Sequence, residues 1–284
     1  MGAVGAISAA TVQAMTLLHF DSITVVPPTL RGKAVLAASH GGTYVAQAAL
    51  ALGLGGLIVS DAGIGRERAG VAGLDTLEGH GVPAAAVSVH SARIGDGADC
   101  LQRGVISCAN ETARSIGVVP GMAAQVALQR MAECAREPVG TMPDVGEDRR
   151  EERQSHGARI IIADSNSMVG PGDAGSIFVT GSHGGLLGGR AATAVKAPVA
   201  AAVYNDADGG IDGAGFSRLA ALDARGIAAA TVSAWSARIG DGLSTFEDGY
   251  ITHINDCAAA AGGEVGISCE ELVARLIRWL RTKS

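Results

Sequence analysis

The sequence predicts an α/β protein built as a tandem duplication: two α/β units with mainly parallel central sheets, related by a pseudo-two-fold axis. Three observations predict it. The chain repeats itself, since Ser39-His40-Gly41-Gly42 returns as Ser182-His183-Gly184-Gly185 at an offset of 143 residues, and Ser91-Ala92-Arg93-Ile94-Gly95-Asp96-Gly97 returns unchanged as Ser236-Ala237-Arg238-Ile239-Gly240-Asp241-Gly242 at an offset of 145. Short runs that are apolar throughout alternate with helical patterns, as parallel strands covered on both faces do. The shared letters are mostly polar residues and glycines, while most apolar positions differ, so the repeat serves turns or a site rather than a core. A period this long is a whole domain, because solenoid units span only about 20–50 residues.

The elements follow in order. In the first copy strands are expected over 15–20, 34–38, 56–59 and 84–89, with helices over 43–52, 69–78 and 121–136. Gly53, Gly79 and Gly81 supply the helix stops. The second copy gives strands over 160–163, 176–180, 199–203 and 228–233, and a closing helix over 269–281. Residues 1–137 form the first unit and 159–284 the second. Between them, 138–158 reads as a charged, solvated linker, because Pro138, Gly140, Pro143 and Gly146 precede seven consecutive charges, Glu147 to Arg153.

Composition narrows the function. With 48% hydrophobic and 18% charged residues the chain is globular. A net charge of −6 and 3% aromatics offer neither a basic surface nor stacking platforms, which argues against nucleic acid as a partner. The start, 1–18, lacks the basic region of a secretory signal, and the longest apolar stretch, 45–59, is broken by glycines and Gln47, which argues against a membrane span. Five scattered cysteines without a C-x-x-C spacing read as reduced thiols of a cytoplasmic protein. A homo-oligomer is compatible with all of this.

Each repeated polar motif follows directly on an expected strand. Parallel strands deliver such loops to one carboxyl edge, where open α/β sheets bind ligands. His40, Asp61, Arg93 and Asp96 are therefore expected to converge, as are His183, Asp206, Arg238 and Asp241. His40 and His183 are candidate acid/base groups, and Asp61 and Asp206 candidate orienters or second carboxylates. If His40 is a base, its serine comes from elsewhere, Ser22 or Ser91, since neighbouring side chains on a strand point opposite ways. Arg93 and Arg238 are candidate anion anchors through a two-pronged guanidinium; an internal salt bridge to Asp96 or Asp241 is the competing reading. Ser39, Gly41, Gly42, Ser91, Asp96, Ser182, Gly184, Gly185, Asn205, Ser236 and Asp241 complete the expected binding set. The His-Gly-Gly turns are expected to lead into a helix, with positive φ aiming N–H groups at an anion. Arg66 and Arg68 lead us to expect more positive potential beside the first copy.

No cofactor is predicted. His40, Asp61 and Asp96 are acceptable ligands for a divalent metal, but no H-x-x-x-H or clustered spacing supports one. Neither the dinucleotide fingerprint nor a P-loop follows the first strand of either copy. The leading expectation is an enzyme acting on a small anionic metabolite in a cleft between the copies, by hydrolysis of an amide, imide or ester. An isomerase or racemase with matched acid/base groups, and a non-catalytic two-domain binding protein, are the alternatives.

Overall fold

The computed structural model describes residues 16–138 and 150–283. Among them the protein is mixed α/β, with two mostly parallel sheets and nine α-helices. The first sheet uses β1 (His19–Phe20), β2 (Ala34–His40), β3 (Gly56–Ser60), β4 (Ala84–Val87) and β5 (Ile106–Ala109), in that spatial order. Its helices are α1 (Thr43–Ala51), α2 (Gly73–Glu78), α3 (Gly97–Arg103), α4 (Glu111–Ser115) and α5 (Ala124–Cys134). Strands β1 to β4 run parallel and β5 is antiparallel to β4. Burial of β2 on both faces explains its unbroken apolar run. Val35 and Ala37 pack with Val45, Ala49 and Leu50 of α1, whereas Leu36 and Ala38 pack with Leu128 and Met131 of α5.

The second sheet comprises β6 (Arg150–Ser155), β7 (Ala158–Ala163), β8 (Ile177–His183), β9 (Ala201–Asn205), β10 (Ala228–Val232) and β11 (Ile251–Ile254). Its helices are α6 (Arg218–Asp223), α7 (Gly242–Glu247), α8 (Asp256–Ala260) and α9 (Cys269–Lys283). From β7 to β11 the order and directions match β1 to β5, and β6 adds one antiparallel edge strand beside β7. Both antiparallel edges at the far side, β5 and β11, lack a continuous apolar run (Ile-Ser-Cys-Ala and Ile-Thr-His-Ile), which is why the sequence pattern passes over them.

Three local expectations need correction. The charged stretch is partly structured: Arg150–Ser155 is β6, with charges alternating across the strand and paired as Arg150 to Asp173 (2.6 Å) and Arg159 to Glu152 (2.8 Å); residues 139–149 lie outside the described residues. The helix expected over 69–78 is a 3-10 turn at Arg66–Arg68 followed by the shorter α2. After His183 there is no counterpart of α1, because Gly188 (φ 56°) and Gly189 (φ 67°) turn the chain into short 3-10 segments.

The carboxyl-edge loops of the two sheets meet. Ala62, Val89 and Ile94 pack with Ala207, Ala214 and Ile239 in a small core of their own. Matching backbone bonds cross this seam, Arg66 N–H to Ala234 O (2.8 Å) and Ile211 N–H to Val89 O (2.9 Å). Among the described residues no helix is long and apolar enough to cross a membrane, and none of the five cysteines forms a disulfide.

Candidate functional site

Ladder register brings the repeated motifs to one edge. His40 pairs with Ser60 across β2 and β3, Ser60 with Val87 across β3 and β4, and His183 with Asn205 across β8 and β9. What happens beyond that edge separates the expected site residues into two groups.

The first group holds the backbone. Asp61 Oδ1 accepts the N–H groups of Gly63 (3.0 Å) and Val89 (2.9 Å). Asp206 Oδ1 accepts those of Asp208 (2.9 Å) and Ala234 (2.8 Å), while burial pushes its carboxyl above the ordinary value against the pull of these bonds. Neither carboxylate bonds a histidine. Ser91 and Ser236 each donate to a carbonyl three residues back and accept an N–H from the following strand region, that of Val105 or Tyr250 (both 2.9 Å). Asn205 bonds Ala237 O (3.2 Å) and Ala207 N–H (2.9 Å). Asp96 and Asp241 cap α3 and α7 by accepting from Asp99 N–H (3.0 Å) and Ser244 N–H (2.9 Å).

Arg93 and Arg238 join the halves at the surface, Arg93 to Asp212 (2.7 Å) and Arg238 to Glu67 (3.3 Å) and Asp241 (3.2 Å). Such partly exposed ion pairs contribute about 0–1 kcal/mol. Arg93→Lys and Arg238→Lys should therefore each lower unfolding free energy by less than about 1 kcal/mol in urea titrations. A larger loss would mean that these pairs carry the association of the halves.

The second group faces a cavity of about 520 Å³ between the halves. His40 and His183 line it, with Ser22, Ser39, Ser165 and Ser182 beside them. Ser39 Oγ accepts Ile23 N–H (3.0 Å) and Ser182 Oγ accepts Asn166 N–H (2.8 Å), which ties the preceding loops to the strand ends. His40 also borders a smaller cavity, about 250 Å³, into which Arg238 reaches.

The His-Gly-Gly motif acts differently from expectation. None of Gly41, Gly42, Gly184 and Gly185 has positive φ. Gly42 N–H donates to His40 Nδ1 and Gly185 N–H to His183 Nδ1, both at 3.1 Å. Glycine is required because a Cβ at Gly42 or Gly185 would lie 2.8 or 2.9 Å from that ring nitrogen. A backbone N–H can only donate, so Nδ1 is unprotonated and the proton of each neutral ring sits on Nε2. Burial holds both rings neutral: it lowers His40 to about 4, and it lowers His183 well below the ordinary value, helped by the charges of Arg218 and His40. Among the described residues neither Nε2 has a hydrogen-bond partner, and neither is sealed from solvent. Each neutral ring therefore presents an N–H donor at Nε2.

The Arg-Ile-Gly-Asp-Gly motif closes this arrangement from the opposite half. Gly240 (φ 84°) lies against His40, and a Cβ there would come within 3.0 Å of His40 Cε1; Gly95 (φ 83°) does the same to His183 at 3.2 Å. Each histidine is thus enclosed by its own strand and the partner half's loop.

Sequence reasoning missed the cations of the large cavity, Arg218 and Lys196. Both belong to the second half, whereas Arg66 and Arg68 do not line this cavity; Arg66 is engaged with Asp248 (3.2 Å) and Ser236 O (2.6 Å). The available signal was asymmetry: Arg218 stands where the repeat has Gly73, and both donate their N–H at 2.8 Å to the first glycine carbonyl of a His-Gly-Gly turn. The repeated Asp21 and Asp164 receive Gly97 N–H (3.1 Å) and Gly242 N–H (2.9 Å). Among the described residues no three His, Cys, Asp or Glu side chains converge to hold a metal ion. Comparison with known proteins finds no matching family model, curated protein or solved structure.

Proposed function

We propose that the protein is a duplicated, pseudo-two-fold enzyme that binds a small anionic metabolite in the cavity between its halves and hydrolyses an amide, imide or ester bond. The observation that carries this reading is the pair of neutral imidazoles, each locked as an Nε2–H donor by a glycine N–H on Nδ1. Hydrolysis of an acyl group builds negative charge on the carbonyl oxygen. Fixed donors aimed at that oxygen in a closed site stabilise it without reorganising. In this reading His40 and His183 serve as oxyanion donors rather than as the acid/base groups first expected. A ring held near neutrality with Nδ1 occupied is a poor proton acceptor. The attacking oxygen is that of water or of a cavity serine; Ser22 Oγ is hydrogen-bonded to Thr24 Oγ1 (2.9 Å) and Ser39 Oγ (3.3 Å).

One observation favours a non-catalytic binding protein instead. Asp164, the one carboxylate among the described residues lining the cavity, is tied to the backbone by accepting Gly242 N–H at Oδ1. The two readings part on His40→Asn and His183→Asn, in which the amide oxygen can still accept the glycine N–H while the ring donor is lost. Against small carboxylate-bearing amides, imides and esters, the enzyme reading expects turnover to fall about 10²–10³-fold. Turnover unchanged in the double variant would refute the donor role. Ligand retained by wild type with no turnover favours the binder.

A further inference from the structure

The most unusual side chain in the cavity is Arg218. It is 2% exposed, yet no carboxylate among the described residues pairs with it. Its Nη1 donates to the carbonyls of Thr193 and Ala194, and its guanidinium lies over the Tyr204 ring, 5.3 Å from the centroid. Nε is buried with no hydrogen-bond partner at all. Nη2 has no partner either, and unlike Nε it is not closed to solvent; Arg218 is one of the residues lining the cavity. A buried cation satisfied on one nitrogen only is costly, and an anion on its unpaired edge offsets that cost.

We infer that the Nε/Nη2 edge of Arg218 is a recognition site for the carboxylate of the cavity ligand, and that it orients the ligand. This rests on the reading of the cavity as a ligand site. The chemistry selects the class. Carbonyls occupy Nη1 and Tyr204 covers a face, so one two-donor edge remains, the match for a planar carboxylate. One oxygen meets Nη2, and seating the second on Nε requires the guanidinium to shift, because Nε is closed to solvent in this structure. Because the repeat has Gly73 in the matching place, the anchor exists on one side only. The paired histidines approach the ligand from both halves, but its carboxylate has a single seat. The substrate class is therefore a small carboxylate carrying a carbonyl group within reach of His40 and His183.

The test uses the whole wild-type protein and pyruvate as probe, followed by the 1H–15N signals of the arginine Nε–H groups and the histidine rings. The Arg218 Nε–H signal, assigned through its own side chain, should move downfield with pyruvate and not with equimolar inorganic phosphate. Arg218→Lys should weaken pyruvate binding roughly tenfold or more, since it keeps the charge and loses the second prong. Histidine signals that move while Arg218 stays fixed would overturn the inference and leave the cavity reading standing. Arg218 moving while the histidines do not would support the anchor and count against the donor role of the rings. An equal response to phosphate would overturn the carboxylate class. No response of either group to millimolar pyruvate would overturn both readings.

Discussion

Gly215→Ala should destabilise the protein by at least about 3 kcal/mol, the range of severe overpacking. A Cβ at Gly215 would stand 1.8 Å from the Asp206 carbonyl oxygen, and the same substitution at Gly70 would stand 2.2 Å from that of Asp61. Backbone cannot yield here as a flexible side chain would. The loop that follows each aspartate is already wound through left-handed non-glycine residues: Ala62 (φ 48°), Ile64 (φ 63°) and Glu67 (φ 54°) in one half, Ala207 (φ 47°), Asp208 (φ 60°) and Asp212 (φ 57°) in the other. Such conformations persist only where surrounding contacts fix them. Those contacts are the aspartate Oδ1 bonds and the seam between halves, so the added methyl strains all of them together. Gly172→Ala is the control, since nothing lies within 4 Å of a Cβ there and its φ is not positive; its effect should stay within about 0.5 kcal/mol. Urea titration of the three variants checks this, and a Gly215→Ala midpoint equal to that of wild type would refute it.

The parallel strands were legible because a doubly covered strand writes an unbroken apolar run, as in Ala34–His40. Parallel direction brings the ends of β2, β3 and β4 to one edge, with His40 beside Ser60 and Ser60 beside Val87. The roles of the repeated polar residues did not follow. An aspartate that staples two N–H groups and one that orients a histidine share a letter and a place after a strand; only the partner separates them, and for Asp61 the partner is Val89 N–H. Glycine was equally ambiguous. Positive φ was expected at Gly42, but close approach to a ring nitrogen is what excludes a side chain there. Arg218 carries no repeat signal, since the cavity's buried cation lies where the two halves differ.

The histidine pair should make the fold acid-sensitive over a defined window. In an unfolded chain His40 titrates near 6.5, and in the fold burial lowers it to about 4. Above pH 6.5 both states are neutral there and stability is full. Between 6.5 and 4 the unfolded state takes the proton and the folded state refuses it, so stability falls by about 1.4 kcal/mol per pH unit. The total for His40 is roughly 3 kcal/mol, reached near pH 4, where the folded ring also protonates. His183 is lowered in the same direction by burial, Arg218 and His40, so its loss adds to that of His40 over the same window. Asp206 acts oppositely, because its raised carboxyl takes up a proton in the fold first; Asp99 and Asp173, lowered despite partial burial by their arginine and N–H partners, add loss only below the ordinary carboxylate value. Above pH 4 the histidines should therefore dominate. Replacing both with Asn removes the titration while an oxygen still accepts each glycine N–H. Unfolding free energies from urea curves at several pH values between 7 and 4 should then show a much flatter dependence than wild type. If the double variant loses stability as steeply as wild type across that range, the buried rings are not what holds the protein to neutral pH.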